Sequence, residues 1–124
     1  MPKILFIDDE PVIRFIGKKT LEKEGFKVTV AGDADEAMDR FTAEKYDLVI
    51  TDLAVPGQVG FSTVHKMKKL RADQRVLVVS GGDLGSQGFL EEKKKAGVTC
   101  VLAKPFELTD LVQSVRDCLS DKAA

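Results

Sequence analysis

Apolar runs of strand length recur five times along the chain, and each leads into a turn or a helical stripe. The first is Ile4 to Ile7, running into Asp8-Asp9-Glu10. A weaker second run covers Phe26 to Ala31. The third is Leu48-Val49-Ile50, ending in Thr51-Asp52. The fourth is Val76 to Val79, ending in Ser80-Gly81-Gly82-Asp83. The fifth is Thr99 to Ala103, ending in Lys104-Pro105-Phe106. The runs are continuous rather than alternating, which predicts strands buried on both faces, as in a parallel sheet. The clearest helical stripe is Leu108, Leu111, Val112, Val115, Cys118 and Leu119, with Pro105, Thr109 and Asp110 marking its start. Ala37, Met38 and Phe41 form a second stripe, and Phe61, Val64, Met67 and Leu70 a third that begins after Gly60. Phe89, Leu90 and Ala96 form the weakest, behind Gly81, Gly82, Gly85 and Gly88, so the fourth helix is expected to start late or be mobile. Strands alternating with helices predict βαβ units with right-handed crossovers. The expected fold is one α/β domain over residues 1–124, a doubly wound (βα)5 sheet of five parallel strands with helices on both faces.

Composition narrows the function classes. At 124 residues the chain has room for one core and no separate output module. Its net charge of −1 argues against nucleic acid as the main partner. The apolar runs are far shorter than the roughly 20 residues a bilayer span needs, so no membrane role is expected. The N-terminus meets acidic residues at once and does not read as a signal peptide. Cys100 and Cys118 have neither zinc-site spacing nor the number for a disulfide framework. They are expected to be reduced, half-buried thiols in a cytoplasmic protein.

Chemistry concentrates where the apolar runs end. Asp8 and Asp9 follow the first run, Asp52 the third, Ser80 the fourth and Lys104 the fifth. Ligands of open α/β sheets bind beyond the carboxyl ends of the strands, so these residues are expected to meet on one rim. Clustered carboxylates repel one another, and a hard divalent cation such as Mg²⁺ relieves the repulsion. A lysine and a hydroxyl facing the same place suit phosphoryl oxygens. A carboxylate beside the metal can act as nucleophile and form an acyl phosphate. Singly, each residue is an ordinary turn or cap; the ordered set reads as metal-assisted phosphoryl transfer onto an aspartate.

Asp8-Asp9-Glu10-Pro11, the segment from Asp52 through Pro56 to Gly60, Val78-Val79-Ser80-Gly81 and Lys104-Pro105-Phe106 resemble the response-regulator receiver domain of two-component signalling. The resemblance implies that Asp52 accepts a phosphoryl group from a histidine kinase or histidine phosphotransferase. It implies Mg²⁺ bound directly by Asp9, Asp52 and the Ala54 carbonyl, with Asp8 acting mostly through water. Lys104 would pair with the phosphoryl group, Ser80 would hydrogen-bond it, and Gly81 would leave space. Lys104-Pro105 would be cis. Such a domain is a phospho-accepting switch that alters binding to a downstream protein target, not a turnover enzyme.

Some positions depart from the family pattern. Val101 stands where many receivers carry Tyr or Phe, so the usual switching aromatic has no counterpart. Ala54 and Gly82 offer no polar side chain to place an attacking water. Val55 replaces a common Met, and Gly17 a common Leu, both as packing adjustments. Val12, Ile13, Phe15 and Ile16 span a wider arc than one core stripe hides, and Ile13 and Ile16 are the expected partner-facing pair. The Glu91–Lys95 charge run reads as a solvated helix face, and His65, the only histidine, as a surface or core-edge residue. A phosphatase with an aspartyl nucleophile would need a second Asp at position 54, where Ala stands. A flavodoxin-like cofactor binder would need a phosphate cradle in place of Asp8-Asp9-Glu10. The alternative on the same fold is a phosphorylation-independent scaffold receiver.

Overall fold

In the computed structural model five strands and five helices alternate along the chain. The described residues are 1–57, 61–82, 85–98 and 100–120. The strands are β1 (Lys3–Ile7), β2 (Lys27–Ala31), β3 (Leu48–Asp52), β4 (Val76–Ser80) and β5 (Cys100–Ala103). The helices are α1 (Pro11–Lys23), α2 (Ala34–Ala43), α3 (Ser62–Leu70), α4 (Gln87–Ala96) and α5 (Leu108–Leu119). All strand pairs are parallel, in the order β2-β1-β3-β4-β5. The order reverses between β1 and β3, and such a switch point opens a crevice at the carboxyl edge.

The pleat divides each central strand between two apolar clusters. Leu5, Ile7, Val49, Val76 and Val78 pack with Phe41 of α2, Val64 and Met67 of α3 and Ala96 of α4. Ile4, Phe6, Leu48, Ile50, Leu77 and Val79 pack with Leu21 of α1 and Leu111, Val115 and Cys118 of α5. Burial on both faces explains why the strand sequences show no alternation of polar and apolar residues.

Boundaries follow local chemistry. Asp33 caps α2, its Oδ1 accepting from the Glu36 amide at 2.8 Å, and Glu36 Oε1 in turn accepts from the Gly32 amide at 2.7 Å. Ser86 caps α4 by accepting from the Phe89 amide at 3.2 Å, so α4 does start late, at Gln87. The residue at the start of α5 is Glu107, ahead of the expected Thr109; Asp110 serves it by accepting from the Glu107 amide at 3.2 Å. The expected role of Gly60 in starting the third helix lies outside the described residues; α3 is observed from Ser62.

Gly17 has a steric reason. A Cβ there would lie 2.8 Å from Cζ of Phe6, so the ring of β1 fills the space under α1. This close approach offsets the roughly 1 kcal/mol that a mid-helix glycine costs relative to alanine.

The cysteines correct the expectation of two separate reduced thiols. Cys100 and Cys118 are joined by a disulfide, with Cα atoms 6.0 Å apart, inside the range such a bridge spans. The reason is tertiary. The chain turns after β5 and α5 runs back along it, so the last turn of the helix lies against the first residue of the strand. Eighteen residues of sequence separation conceal that contact.

Candidate functional site at the carboxyl edge of the sheet

The apolar run of β1 holds its successor in place. Asp8 is 3% exposed and its amide donates to the Ala31 carbonyl at 3.1 Å, continuing the ladder to β2. Its Oδ1 accepts from the Glu10 amide at 2.9 Å. The Arg14 guanidinium reaches back from α1 and donates to the Asp8 carbonyl at 2.7 Å. Asp9, the next residue, is exposed at the rim.

Asp52 closes β3 and is 4% exposed. Its Oδ1 accepts from the Ala54 amide at 2.8 Å, a short turn that draws residue 54 over the carboxylate. The Leu53 amide donates to the Val79 carbonyl at 3.2 Å, which ties the loop to β4. Farther on, the Pro56 carbonyl accepts from the Ala34 amide at 2.9 Å, and Gly57 takes a φ of +83°. That left-handed turn favours glycine.

Lys104 joins the two buried carboxylates. Its Nζ contacts Asp52 Oδ2 closely and lies 3.4 Å from Asp8 Oδ2. Its backbone amide donates to the Ser80 carbonyl at 2.9 Å, and its peptide to Pro105 is cis, as expected. Partial burial pulls the ammonium pKa down, but the hydrogen bond and charge of Asp52, and then Asp8, outweigh that pull and hold it above the ordinary lysine value. Removing this ammonium would leave two buried carboxylates facing each other.

Ser80 ends β4 at the same rim, where its Oγ accepts from the Gly82 amide at 3.2 Å. A Cβ on Gly81 would sit 3.8 Å from Lys104 Cβ, an ordinary contact, so packing in this state does not itself demand glycine there.

Asp8, Asp9 and Asp52 each offer an oxygen, and these lie within 4.8 Å of one another. Among the described residues, the Lys104 ammonium contacts two of the three carboxylates, Asp8 and Asp52. Clustered carboxylate oxygens of this kind fit a hard divalent cation. The structure therefore brings together Asp8, Asp9, Asp52 and Lys104, with Ser80 on the adjoining strand end.

Sequence reading missed Arg14 and Gly32. Arg14 Nη1 would lie 2.9 Å from a Cβ on Gly32, so the glycine admits the guanidinium on its way to Asp8. No spacing signals this, because α1 and the end of β2 meet only in the fold. The expected pair on α1 also changes. Val12 and Phe15 are the most exposed, at 66% and 64%; Ile16 is 39% exposed, and Ile13 is half-buried against the second cluster. Beside the site a groove of about 510 Å³ runs between α1 and α5, lined by Phe6, Ile13, Ile16, Phe106, Leu108 and Leu111. Glu10 and Lys104 border it. His65 is exposed on α3, away from the strand ends, as expected.

A doubly wound sheet with an acidic rim and a lysine opposite defines a class, and comparison with known proteins supplies the family. Residues 4–116 match the response regulator receiver domain, and the chain belongs to that family. It is 31% identical over 121 residues to the sporulation initiation phosphotransferase F of Bacillus subtilis, covering 98% of this chain and 96% of that one. A CheY-like receiver domain protein from Methanospirillum hungatei superposes with a TM-score of 0.89 at 28% identity, covering 99% of this chain and 96% of that one. The response regulator TrrA of Thermotoga maritima, solved in complex with Mg²⁺ and BeF, superposes at 0.81 with 28% identity, covering 95% and 99%.

Proposed function

We propose that the whole chain, residues 1–124, is a receiver that accepts a phosphoryl group on Asp52 and changes its protein partners in response. The observation that carries this reading is the Lys104 ammonium held between Asp52 and Asp8, with Asp9 close enough to share a cation with both. The Mg²⁺–BeF complex of the Thermotoga relative supports it.

The residues divide the work. Asp8, Asp9 and Asp52 would hold Mg²⁺ together with the Ala54 carbonyl; the ion supplies charge neutralisation for the incoming phosphoryl oxygens. Asp52 is the nucleophile. Its carboxylate oxygen forms the new P–O bond as the P–N bond of a partner's phosphohistidine breaks, and the imidazole leaves with the electron pair. The turn from Ala54 orients the carboxylate, and Lys104 moves its contacts from carboxylate to phosphoryl oxygen. Ser80 would exchange the Gly82 amide for the phosphoryl group. Transfer of this kind needs positioning and electrostatics more than covalent participation by further side chains. No side chain at Ala54 or Gly82 can place water, so hydrolysis of the acyl phosphate is expected to proceed unassisted by them. The donor is a histidine kinase or histidine phosphotransferase, for which the α1–α5 groove and the exposed Val12, Phe15 and Ile16 offer an apolar seat next to the acceptor. The output is binding of a downstream protein, and the chemistry is that of a switch rather than a turnover enzyme.

The test is incubation with Mg²⁺ and acetyl phosphate, read by intact mass. A phosphoryl adduct that disappears with EDTA and in Asp52→Asn supports the proposal. No adduct, where another receiver is labelled and a phosphorylated histidine kinase or phosphotransferase also fails to transfer, would leave a scaffold receiver.

A further inference from the structure

We infer that Cys100 and Cys118 form a reversible redox site, oxidised by small-molecule disulfides and reduced by small thiols, whose state sets how firmly α5 is held to β5. The two sulfurs differ in access. Cys100 is half-buried on the edge strand, which among the described residues pairs with β4 alone. Cys118 is 2% exposed, among Leu111, Val115, Leu77 and Val79. An incoming disulfide therefore meets Cys100 first, and Cys118 is placed to resolve.

The fold has other means of holding these elements. β5 pairs with β4 from Leu77–Cys100 to Ser80–Ala103. Leu111 and Val115 of α5 are fully buried against the sheet. Arg75 donates to the carbonyl of Cys118 at 3.3 Å, and also to that of Leu119. As a thiol, Cys118 remains a small apolar residue that fits the same cluster. The bridge thus adds a tether to an element that is already folded, which is the condition for a two-state device rather than an obligatory staple.

The exchange balances in two steps. The Cys100 thiolate attacks one sulfur of the small disulfide; that S–S bond breaks, and one thiolate leaves and takes up a proton. The Cys118 thiolate then attacks the Cys100 sulfur of the mixed disulfide and releases the second small thiol. Two protein thiols are oxidised and one small disulfide is reduced to two thiols. The ring that closes spans a separation of 18 residues and contains Lys104 and nearly all of α5. Closing it limits the freedom of the segment that carries the lysine. The inference does not depend on phosphoryl transfer, because the unphosphorylated protein tests it.

The experiment first reduces the full chain with dithiothreitol and removes the reductant, then treats it with oxidised glutathione and again with dithiothreitol, all under native conditions. Intact mass is expected to fall by two hydrogens, non-reducing peptide mapping to give a Cys100–Cys118 cross-link, and dithiothreitol to reverse both. Amides in the last turn of α5 are expected to exchange at least about tenfold more slowly in the oxidised form. Cys118→Ala, which keeps a small apolar side chain, is expected to stop at a glutathione adduct on Cys100. Thiols that stay free, a bridge reducible only after unfolding, or equal exchange of α5 in the two states would each overturn the inference.

Discussion

The centre and the edge of the sheet hold opposite halves of the site. β1 and β3 lie in the interior of the sheet; Ile4, Leu5, Leu48 and Val49 are fully buried. They end in the buried carboxylates Asp8 and Asp52. β5 is an edge strand of three half-buried residues and the exposed Ala103, and the lysine follows it with its side chain 26% exposed. The buried anions therefore end interior strands, and the cation follows a strand at the edge of the sheet. On the proposed function, this difference divides the switch: the carboxylates stay fixed, while Lys104 and the segment from β5 to α5 adjust to what Asp52 carries. The disulfide is the one covalent restraint on that adjustable half.

The comparison can be broken most directly at Asp52. Asp52→Asn is expected to abolish phosphoryl uptake from acetyl phosphate altogether, while circular dichroism stays unchanged; labelling that persists would move the acceptor elsewhere. The next largest contrast is in stability. Ile50→Ala in the centre is expected to cost about 3 kcal/mol in urea unfolding, and Leu102→Ala at the edge less than half of that. Equal losses would remove the distinction between a rigid centre and an adjustable edge. Gly17→Leu should destabilise by roughly 1–3 kcal/mol, because its side chain would meet the Phe6 ring; a neutral result would show that Phe6 has somewhere else to go.

The smallest effect concerns protonation. Burial lowers the Lys104 pKa, and the hydrogen bond and charge of Asp52, then Asp8, raise it by more, to a value above 10.5. The folded pKa is thus the higher one. The stability this ion pair contributes is fully present below pH 10.5 and is lost as pH rises through the raised value. Nζ-detected NMR should show Lys104 still protonated where surface lysines titrate, and Asp52→Asn should bring its midpoint down. A midpoint in wild type at or below that of surface lysines would contradict the pairing.

Much of this is legible in the sequence. Continuous apolar runs announced buried parallel strands, and Asp8, Asp9, Asp52, Ser80 and Lys104 were found by asking what stands where each run stops. That question works because strand ends in a parallel sheet all face one rim. The α5 stripe was legible for a similar reason: its period is local. Glu107 was missed as the start of α5 because Thr109 and Asp110 are the commoner helix-start residues, whereas this start is read from one backbone contact. Arg14, the exposure of Val12 and Phe15, the fit of Gly17 over Phe6 and the joining of Cys100 to Cys118 had no local signature.

By itself the sequence determined the order of elements, the two-sided burial of the strands and the set of groups at the rim, because hydrophobic period and strand termination are properties of neighbouring residues. The tertiary structure alone decided which groups touch. It placed Lys104 on Asp52 and Asp8, turned Arg14 to the Asp8 carbonyl and laid the end of α5 against the start of β5. Lys104 lies 52 and 96 residues from its two partners and the cysteines 18 from each other, so strand order brings the first set together and the packing of α5 along β5 the second.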